Sequence, residues 1–354
     1  MPNRNANQPI FLCGASRSGT AMVREVLNRH AAVYLAGETH YFDDLRPRLG
    51  NAAHQPMSPE QQRMTEDYFL SLWHRPYGHH GNPEQARHTR ELLRTTAAEI
   101  GPGADAFFEA FCLINARDEQ RAIWGEKTPR HVFRIADILS RYPRANVICM
   151  VRDPRAVVAS YRDWRNQGGF DLERDPGHAA VLEEEERRAR RSYHIILMSL
   201  LWKGTVAAAV KARAAFGEER VCVLQYEQVV ENPNEAMSSL FAWLDLEYSP
   251  ELLNVPVLNS SFAEFHQTGG IQKSAMDRWK QKLSKTEIGI IQAVCGSLMD
   301  SVNIAREPVS TPYLALIWKW LTLPFAMCRA VLANRKRIGN IPAYIWRRLK
   351  LAAS

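Results

Sequence analysis

One stretch near the start of the chain limits the possible folds more than any other. Residues 10–13 are an apolar run, typical of a strand that is buried on both faces of a sheet. A loop with glycines at positions 14 and 19 follows, and apolar residues at helical spacing begin at Met22. A strand, a glycine loop and a helix in this order direct backbone N–H groups and a helix N-terminus at an anion, most often phosphate. We therefore predict an anion site in this loop.

The loop differs from the pattern that binds ATP. In that pattern a Lys follows the second glycine and binds the phosphates, and the next Ser or Thr binds magnesium. Here Thr20 follows Gly19 directly, and the cation of the loop is Arg17. We expect the anion to be bound and the magnesium–triphosphate geometry to be lost. The predicted anion contacts come from Gly14, Ala15, Ser16, Arg17, Ser18, Gly19 and Thr20.

Two other predicted strands end in charged residues. Glu38 follows a short strand over residues 33–36, and Lys127 precedes a helix that Pro129 opens. Ligands of α/β proteins bind at the carboxyl ends of parallel strands, so both side chains are candidates for the same site. A solvated lysine is the alternative for Lys127.

The clearest central strand, residues 146–151, is followed by Arg152. A salt bridge to Asp153 is one interpretation of Arg152, and a second anion anchor is the other. Two strand–turn–helix units with an arginine at each turn favour the anchor. The whole pattern predicts an α/β fold in which helices flank a parallel sheet.

The positive charge of the chain is concentrated at one end. The net charge is +7, but residues 306–354 contain nine Lys or Arg and one acid, so they carry +8 and the rest carries −1. A basic tail of this kind does not make the body a nucleic-acid-binding surface, and we predict no nucleic-acid partner.

The cysteine and histidine patterns predict neither a disulfide framework nor a metal site. The six cysteines are scattered without a C-x-x-C pair, which favours a reducing compartment. His74, His79, His80 and His88 match no ligand spacing. Because the first strand begins at residue 10, we expect no room for a signal peptide and predict a cytoplasmic protein.

We divide the chain into a catalytic domain, residues 1–305, and a basic, apolar helical tail, residues 306–354. Residues 43–105 are polar, with one helical patch near residues 68–73, and we predict that they form an insert or lid on the acceptor side. This division rests on composition and periodicity.

The tail has three interpretations. Residues 313–332 are mostly apolar, but Lys319, Pro324 and Arg329 interrupt them. Tryptophans beside Lys and Arg clusters favour amphipathic helices in a membrane interface, which predicts a peripheral protein at the cytoplasmic face. A membrane-spanning helix, and packing against the body or a partner in a homodimer, remain the alternatives.

Taken together, these motifs resemble the sulfotransferase family that uses 3′-phosphoadenosine-5′-phosphosulfate (PAPS), over roughly residues 9–300. Residues 14–20 are similar to its 5′-phosphosulfate loop, and Arg152 with Ser160 is similar to its 3′-phosphate motif. Tyr226 opens a similar strand-to-helix junction. Lys273 and Ser274 lie where many members have a 3′-phosphate clamp. The resemblance implies a P-loop NTPase-like sheet, PAPS as cofactor, PAP as product and no metal.

Within the family, the spacing of Arg17, Glu38 and Lys127 is most similar to that of protein-tyrosine sulfotransferases. In those enzymes the matching acid is the general base, and the matching Arg and Lys stabilise the sulfuryl group. Sulfuryl transfer resembles in-line phosphoryl transfer, in which positioning and charge stabilisation dominate. His40 is the alternative base, because cytosolic small-molecule members use a histidine.

The predicted function is transfer of a sulfuryl group from PAPS to an acceptor hydroxyl of a carbohydrate, a lipid or glycolipid, or a tyrosine. The membrane prediction for the tail favours a lipid-linked acceptor. One alternative is a P-loop kinase of small molecules, which the missing loop lysine disfavours. The other is a catalytically silent nucleotide-binding membrane adaptor, which would bind PAP without needing Glu38.

Overall fold

The computed structural model describes residues 8–73, 81–163, 176–255, 271, 273 and 276–335. One five-stranded sheet forms its centre, in the order β2-β3-β1-β4-β5, and every described pair of neighbouring strands is parallel. The strands are β1 Ile10–Gly14, β2 Val33–Ala36, β3 Ile123–Lys127, β4 Asn146–Val151 and β5 Val221–Gln225. The predicted α/β fold with a parallel sheet is confirmed.

Helices cover the sheet and extend beyond it. The α-helices are α1 Thr20–Arg29, α2 Leu45–Leu49, α3 Pro59–Trp73, α4 Arg90–Ile100, α5 Ala104–Asp118, α6 Ile135–Arg141, α7 Pro154–Arg162, α8 Pro176–Ser192, α9 Ile195–Phe216, α10 Tyr226–Glu231, α11 Pro233–Trp243, α12 Trp279–Lys282, α13 Lys285–Ser301 and α14 Tyr313–Ala333. Short 3-10 helices lie at Gly50–Ala53, Pro83–Thr89, Pro129–Arg134 and Pro250–Leu253.

Strand β1 lies in the middle of the sheet, and its two faces enter different cores. Phe11 packs with Phe108 and Trp124 on one face. On the other face, Leu12 packs with residues of α1 and α11, including Phe241. All five residues of β1 are buried, because helices cover both faces of a parallel sheet. The apolar run of the sequence is thereby explained.

Residues 43–105 are more helical than their sequence indicates. Three α-helices, α2 to α4, and two 3-10 helices lie in this stretch, and α5 begins at its end. Leu45, Phe69 and Leu93 are fully or almost fully buried in the same core as Phe11. Polar residues interrupt the helical periodicity, which is why only the patch around residues 68–73 was evident. A role on the acceptor side stays a prediction.

Two buried carboxylates hold these helices together. Asp105 on α5 accepts hydrogen bonds from the Tyr41 hydroxyl at 2.6 Å and from the Arg46 guanidinium at 2.8 Å. Glu66 on α3 accepts from Arg90 at 2.9 Å and from Arg94 at 2.6 Å. Buried charges are stable only when they are paired in this way. These pairs therefore fix the packing of α2 against α5 and of α3 against α4.

Two described helices are long and apolar enough to cross a membrane by length and composition. They are α9, with a mean hydropathy of 1.5, and α14, with 1.3. Half of the apolar window of α9 is buried inside the protein, as expected for a core helix, whereas almost none of the α14 window is. The two helices therefore have different surroundings.

Gly14, the last residue of β1, supplies the first test of the structure. Its φ is 128°, and a Cβ on it would lie 2.2 Å from the Met150 carbonyl oxygen of β4. Gly14→Ala is therefore expected to lower the free energy of unfolding by at least about 2 kcal/mol, measured by urea denaturation.

Gly204 provides the matched control. It lies inside α9, and a Cβ there would come no closer than 4.0 Å to the Phe133 ring. Gly204→Ala is expected to be neutral or to stabilise by roughly 0.5–1 kcal/mol, because alanine suits a helix interior better than glycine. Equal losses in both variants would contradict the close approach of β1 and β4.

Candidate active site

The loop after β1 is held against the end of β4. The Ala15 amide donates to the Met150 carbonyl at 3.2 Å, and the buried Ser18 hydroxyl donates to the carbonyls of Ala15 and Met150. Arg17 and Gly19 have left-handed backbones, with φ of 70° and 90°. Left-handed residues in a tight loop turn successive backbone N–H groups toward one concave side, which suits an anion.

Arg17 and Arg152 join two loops into one cluster. The Arg17 Nε donates to the Ser160 hydroxyl at 3.0 Å, and the Arg152 Nη1 donates to the Arg17 carbonyl at 3.1 Å. The Arg152 guanidinium lies over the Tyr226 ring, 4.1 Å from its centre. A Cβ on Gly19 would lie 2.6 Å from the same ring. The predicted residues after β1, β4 and β5 therefore lie together.

Asp153 has a partner other than its chain neighbour Arg152. It caps α7 by accepting from the Arg155 amide, and its carboxylate binds the Arg155 guanidinium at 2.6 Å. The Trp202 indole of α9 donates to the Arg152 carbonyl at 2.8 Å. These contacts fix the backbone of the turn that carries Arg152.

Glu38 and Lys127 form an ion pair at the neighbouring strand ends. Their side chains are 2.6 Å apart, with Lys127 buried and Glu38 38% exposed. Strand pairing explains the meeting, because Ala36 of β2 lies beside Glu126 of β3. Burial alone would raise the pKa of Glu38, but the Lys127 ammonium and the His40 imidazole lower that pKa well below its usual range. Glu38 is therefore an ionised carboxylate.

His40 lies between two carboxylates. Its Nε2 is 3.3 Å from Glu38, and its Nδ1 is 3.3 Å from Asp43. Burial alone would lower the pKa of His40, but hydrogen bonds and charges from Asp43 and Glu38 raise it to about 9. Asp43 also lies 3.1 Å from the Arg130 guanidinium. The imidazole is therefore cationic at neutral pH.

A buried polar network lies directly below this pair. Glu126 is fully buried and accepts from the backbone and hydroxyl of Thr39, at 2.8 and 3.0 Å. Its other oxygen is 3.0 Å from the His131 ring. The Thr128 hydroxyl also bonds to Glu126 and makes no side-chain cap on the helix that Pro129 opens. The network fixes the backbone that carries Glu38 and His40.

Tyr161 connects the loop to the acid. Its hydroxyl is hydrogen-bonded to Ser16, and burial raises its pKa, with Arg17 lowering and Glu38 raising that pKa. Tyr161 is therefore within electrostatic range of both Arg17 and Glu38, which follow parallel strands that end at the same edge of the sheet. On the far side of the acid, the Tyr68 hydroxyl of α3 donates to the Thr39 carbonyl at 2.6 Å.

Sequence reasoning missed Glu126, His131, Asp43 and the two tyrosines. A carboxylate within a predicted buried strand was the available signal for Glu126, because such a charge needs a partner. Tyr68, Asp43 and His131 carry no comparable signal, since their neighbours come from distant parts of the chain.

Lys273 is exposed, and its carbonyl accepts from the Met276 amide at 3.1 Å. Ile271 and Met276 beside it pack against the core that contains Tyr226. Ser274 lies outside the described residues, as do His74, His79 and His80. In the described part of the chain, no group of three His, Cys, Asp or Glu is placed to hold a metal ion.

Comparisons with known sequences indicate the family of this chain. The chain matches the sequence model of the sulfotransferase family over residues 9–250. It is 23% identical to carbohydrate sulfotransferase 1 of Danio rerio, over 91% of this chain and 85% of that protein. It is also 23% identical to a protein-tyrosine sulfotransferase of Drosophila melanogaster, over 69% of this chain and 39% of that protein.

A solved structure shares the fold. The sulfotransferase domain of the olefin synthase of Synechococcus PCC 7002 superimposes with a TM-score of 0.52 at 18% identity, covering 87% of this chain and 98% of that domain. The family match extends over more than half of the chain, from the residue before β1 to the start of the 3-10 helix Pro250–Leu253. The chain therefore belongs to the sulfotransferase family.

Proposed function

We propose that this sulfotransferase moves a sulfuryl group from PAPS to an acceptor hydroxyl, with Glu38 as the general base. The observation that carries the proposal is the cluster around Arg17. Its side chain binds Ser160 and its carbonyl binds Arg152, and Glu38 follows a strand that ends at the same edge of the parallel sheet. Two anion anchors and an ionised carboxylate around one cleft are what this transfer requires.

The groups around the cleft suit the two ends of PAPS. Backbone amides of residues 14–20, with the Thr20 hydroxyl, suit the 5′-phosphosulfate. Arg152 and Ser160 suit the 3′-phosphate, and Tyr226 supports the Arg152 guanidinium from below. Lys273 and Ser274 stay candidates for the same phosphate. PAPS, when bound, supplies an activated sulfuryl group whose departure leaves PAP.

The chain's own cations compensate the charge that develops during transfer. Arg17 and Lys127 are the candidates, since both lie at the edge of the cleft. Preorganised cations lower the barrier because they need no reorganisation as charge builds up. A sulfuryl group carries less charge than a phosphoryl group, so these side chains suffice without magnesium.

Glu38 is better suited than His40 to accept the proton of the hydroxyl. Its carboxylate is ionised and 38% exposed at the cleft. His40 is protonated at neutral pH because its pKa is raised to about 9, so it holds no free lone pair. Glu38 would become a stronger base if Lys127 moved away, since the ammonium is one of the two cations that hold its pKa down.

The acceptor is an alcohol or phenol of a carbohydrate, a lipid or glycolipid, or a tyrosine. The relatives include both a carbohydrate and a protein-tyrosine sulfotransferase, so they support a hydroxyl without choosing among these classes. The contact of Tyr68 with Thr39 supports an acceptor-side role for α3, since it lies beside Glu38. Incubation with sulfur-labelled PAPS and a cellular lipid and glycan extract would identify the acceptor.

A P-loop kinase is the first alternative. No lysine follows Gly19 to bind a triphosphate, which disfavours it. A larger thermal shift with ATP than with PAP would favour the kinase. A catalytically silent adaptor is the second alternative, and it would bind PAP yet transfer no label.

The role of Glu38 is tested by Glu38→Gln. The amide cannot accept the proton, so we expect label transfer into the extract to fall by at least about 100-fold while PAP binding is kept. Asp44→Asn is the matched control, because this carboxylate lies close in the chain but pairs with Arg48 at the surface. Unchanged transfer in Glu38→Gln would exclude it as the base.

The role of Arg152 is tested by Arg152→Met and two nucleotides. Loss of a charge-assisted bond to the 3′-phosphate is expected to raise the Kd for PAP about 10- to 100-fold, measured by calorimetry. Adenosine 5′-phosphosulfate lacks that phosphate, so its Kd should change far less. Arg144→Met, at an exposed arginine before β4, is the control. An equal rise in Kd for both nucleotides would show that Arg152 does not contact the 3′-phosphate.

The charge of His40 gives a pH dependence of stability. Its pKa is about 9 in the folded chain against an ordinary 6.5, so the cation stabilises the fold fully below pH 6.5. This stabilisation is lost as pH rises from 6.5 through 9. The difference in unfolding free energy between the wild type and His40→Gln should therefore shrink over that range, measured by urea denaturation.

The control for this pH dependence is His54→Gln, at an exposed histidine. This variant removes a histidine from the surface, whereas His40→Gln removes one that is held between Glu38 and Asp43. A wild-type advantage over His40→Gln that stays constant from pH 6.5 to pH 9 would contradict the assigned charge.

A further inference from the structure

Helix α14 presents an apolar stripe to solvent. The outer stripe consists of Leu314, Ile317, Trp318, Leu321, Phe325 and Leu332, which recur at intervals of three, four or seven residues along one side of the helix. Leu314 is 86% exposed, Phe325 is 79% exposed and Trp318 is 63% exposed. Surface helices normally place charged or polar residues on their outer side. A continuous exposed apolar stripe marks an interaction surface.

The opposite side of α14 is attached to the body of the protein. Leu323 and Ala326 are buried there. The Arg329 guanidinium donates at 2.9 Å to the carbonyls of Arg191 and Tyr193, at the junction of α8 and α9. Asn334 donates to the Ser192 hydroxyl at 2.9 Å. These contacts fix the rotation of α14, so the outer stripe faces away from the body.

The charge of the sequence that contains the stripe indicates what covers it. Residues 308–354 contain eight Lys or Arg and no Asp or Glu. Tyr313, Trp318 and Trp320 are exposed aromatic residues on the same helix. Cations and amphipathic aromatic rings beside an apolar stripe match the anionic surface and the acyl boundary of a lipid bilayer.

A second copy of the chain is a poorer occupant. A contact of α14 with its own copy would bring two cationic tails together, with no acid in residues 308–354 to compensate them. A spanning orientation is also disfavoured. It would strip the contacts of Arg329 and Asn334 from the body and place Lys319 and Pro324 within the hydrocarbon.

We infer that α14 lies in the plane of an anionic membrane surface, with the outer stripe inserted at the acyl boundary and the body held above it. The inference is independent of the reaction, because it rests on the exposure and charge of the C-terminal helix. Apolar burial supplies the insertion, and the cations supply attraction that weakens with salt.

The test is cosedimentation of the full chain with vesicles. We expect binding to vesicles of phosphatidylcholine and phosphatidylserine, and much weaker binding to phosphatidylcholine alone or at high salt. A triple variant, Leu314→Ser with Trp318→Ser and Phe325→Ser, should lower the vesicle partition coefficient by at least about tenfold.

The control is a second triple variant, Met64→Ser with Leu92→Ser and Leu201→Ser. These side chains are 42%, 48% and 42% exposed, they lie on α3, α4 and α9, and none of them belongs to the outer stripe. This variant should bind vesicles like the wild type. Thermal melting and PAP binding of both variants separate a folding defect, or a failure of the proposed reaction, from a loss of membrane affinity.

Several outcomes would overturn the inference. Equal vesicle binding by both triple variants would show that the outer stripe does not contact the membrane. A wild type that binds neither kind of vesicle would contradict the membrane contact altogether. A wild-type dimer that becomes monomeric in the outer-stripe variant, without vesicle binding, would assign the stripe to a second copy. Resistance of vesicle-bound protein to alkaline carbonate would indicate a spanning helix.

Discussion

The hydrogen bond from the Arg152 guanidinium to the Arg17 carbonyl connects everything else in the site. It joins the turn after β1 to the turn after β4, and Arg17 in turn binds Ser160 on α7. The parallel register of β1 and β4, with Gly14 beside Met150, brings these turns to the same sheet edge. The Arg152 guanidinium is held by the Arg17 carbonyl oxygen and by the Tyr226 ring, whose centre is 4.1 Å away. Such a cluster suits the anion that the proposed function requires.

Around Glu38, positive and negative side chains balance one another. Glu38 contacts two cations. One is the buried Lys127, and the other is His40, which is protonated because its surroundings raise its pKa. The Asp43 carboxylate balances the charge of His40. Glu126 and His131 support the backbone that carries Glu38 and His40. The proposed base is therefore kept ionised by charges that also restrain it. Release of Lys127 would remove one of the two cations that lower the pKa of Glu38.

The C-terminal helix differs from the rest of the protein in how much of its apolar surface is exposed. The body buries its apolar residues and pairs its charges, as with Asp105 and Glu66. Helix α14 attaches by a narrow side and leaves its larger apolar side uncovered. Because α14 also packs along α9, whose Trp202 binds the Arg152 carbonyl, the proposed membrane helix and the cleft share one supporting helix. A surface-bound enzyme would thereby keep its site in a constant orientation to the lipid.

The sequence by itself determined the α/β class, the strand–loop–helix unit at residues 10–20 and the residue types at the strand ends, because those depend on local periodicity and turn chemistry. It also indicated the apolar, cationic character of residues 306–354. Only the tertiary structure decided that Glu38 pairs with Lys127, that His40 is held between two carboxylates, and that helices α2, α3 and α4 pack into the core. Those features depend on side chains far apart in the chain. Their partners follow from the strand order β2-β3-β1, which places β3 between strands that precede it and which no local pattern specifies.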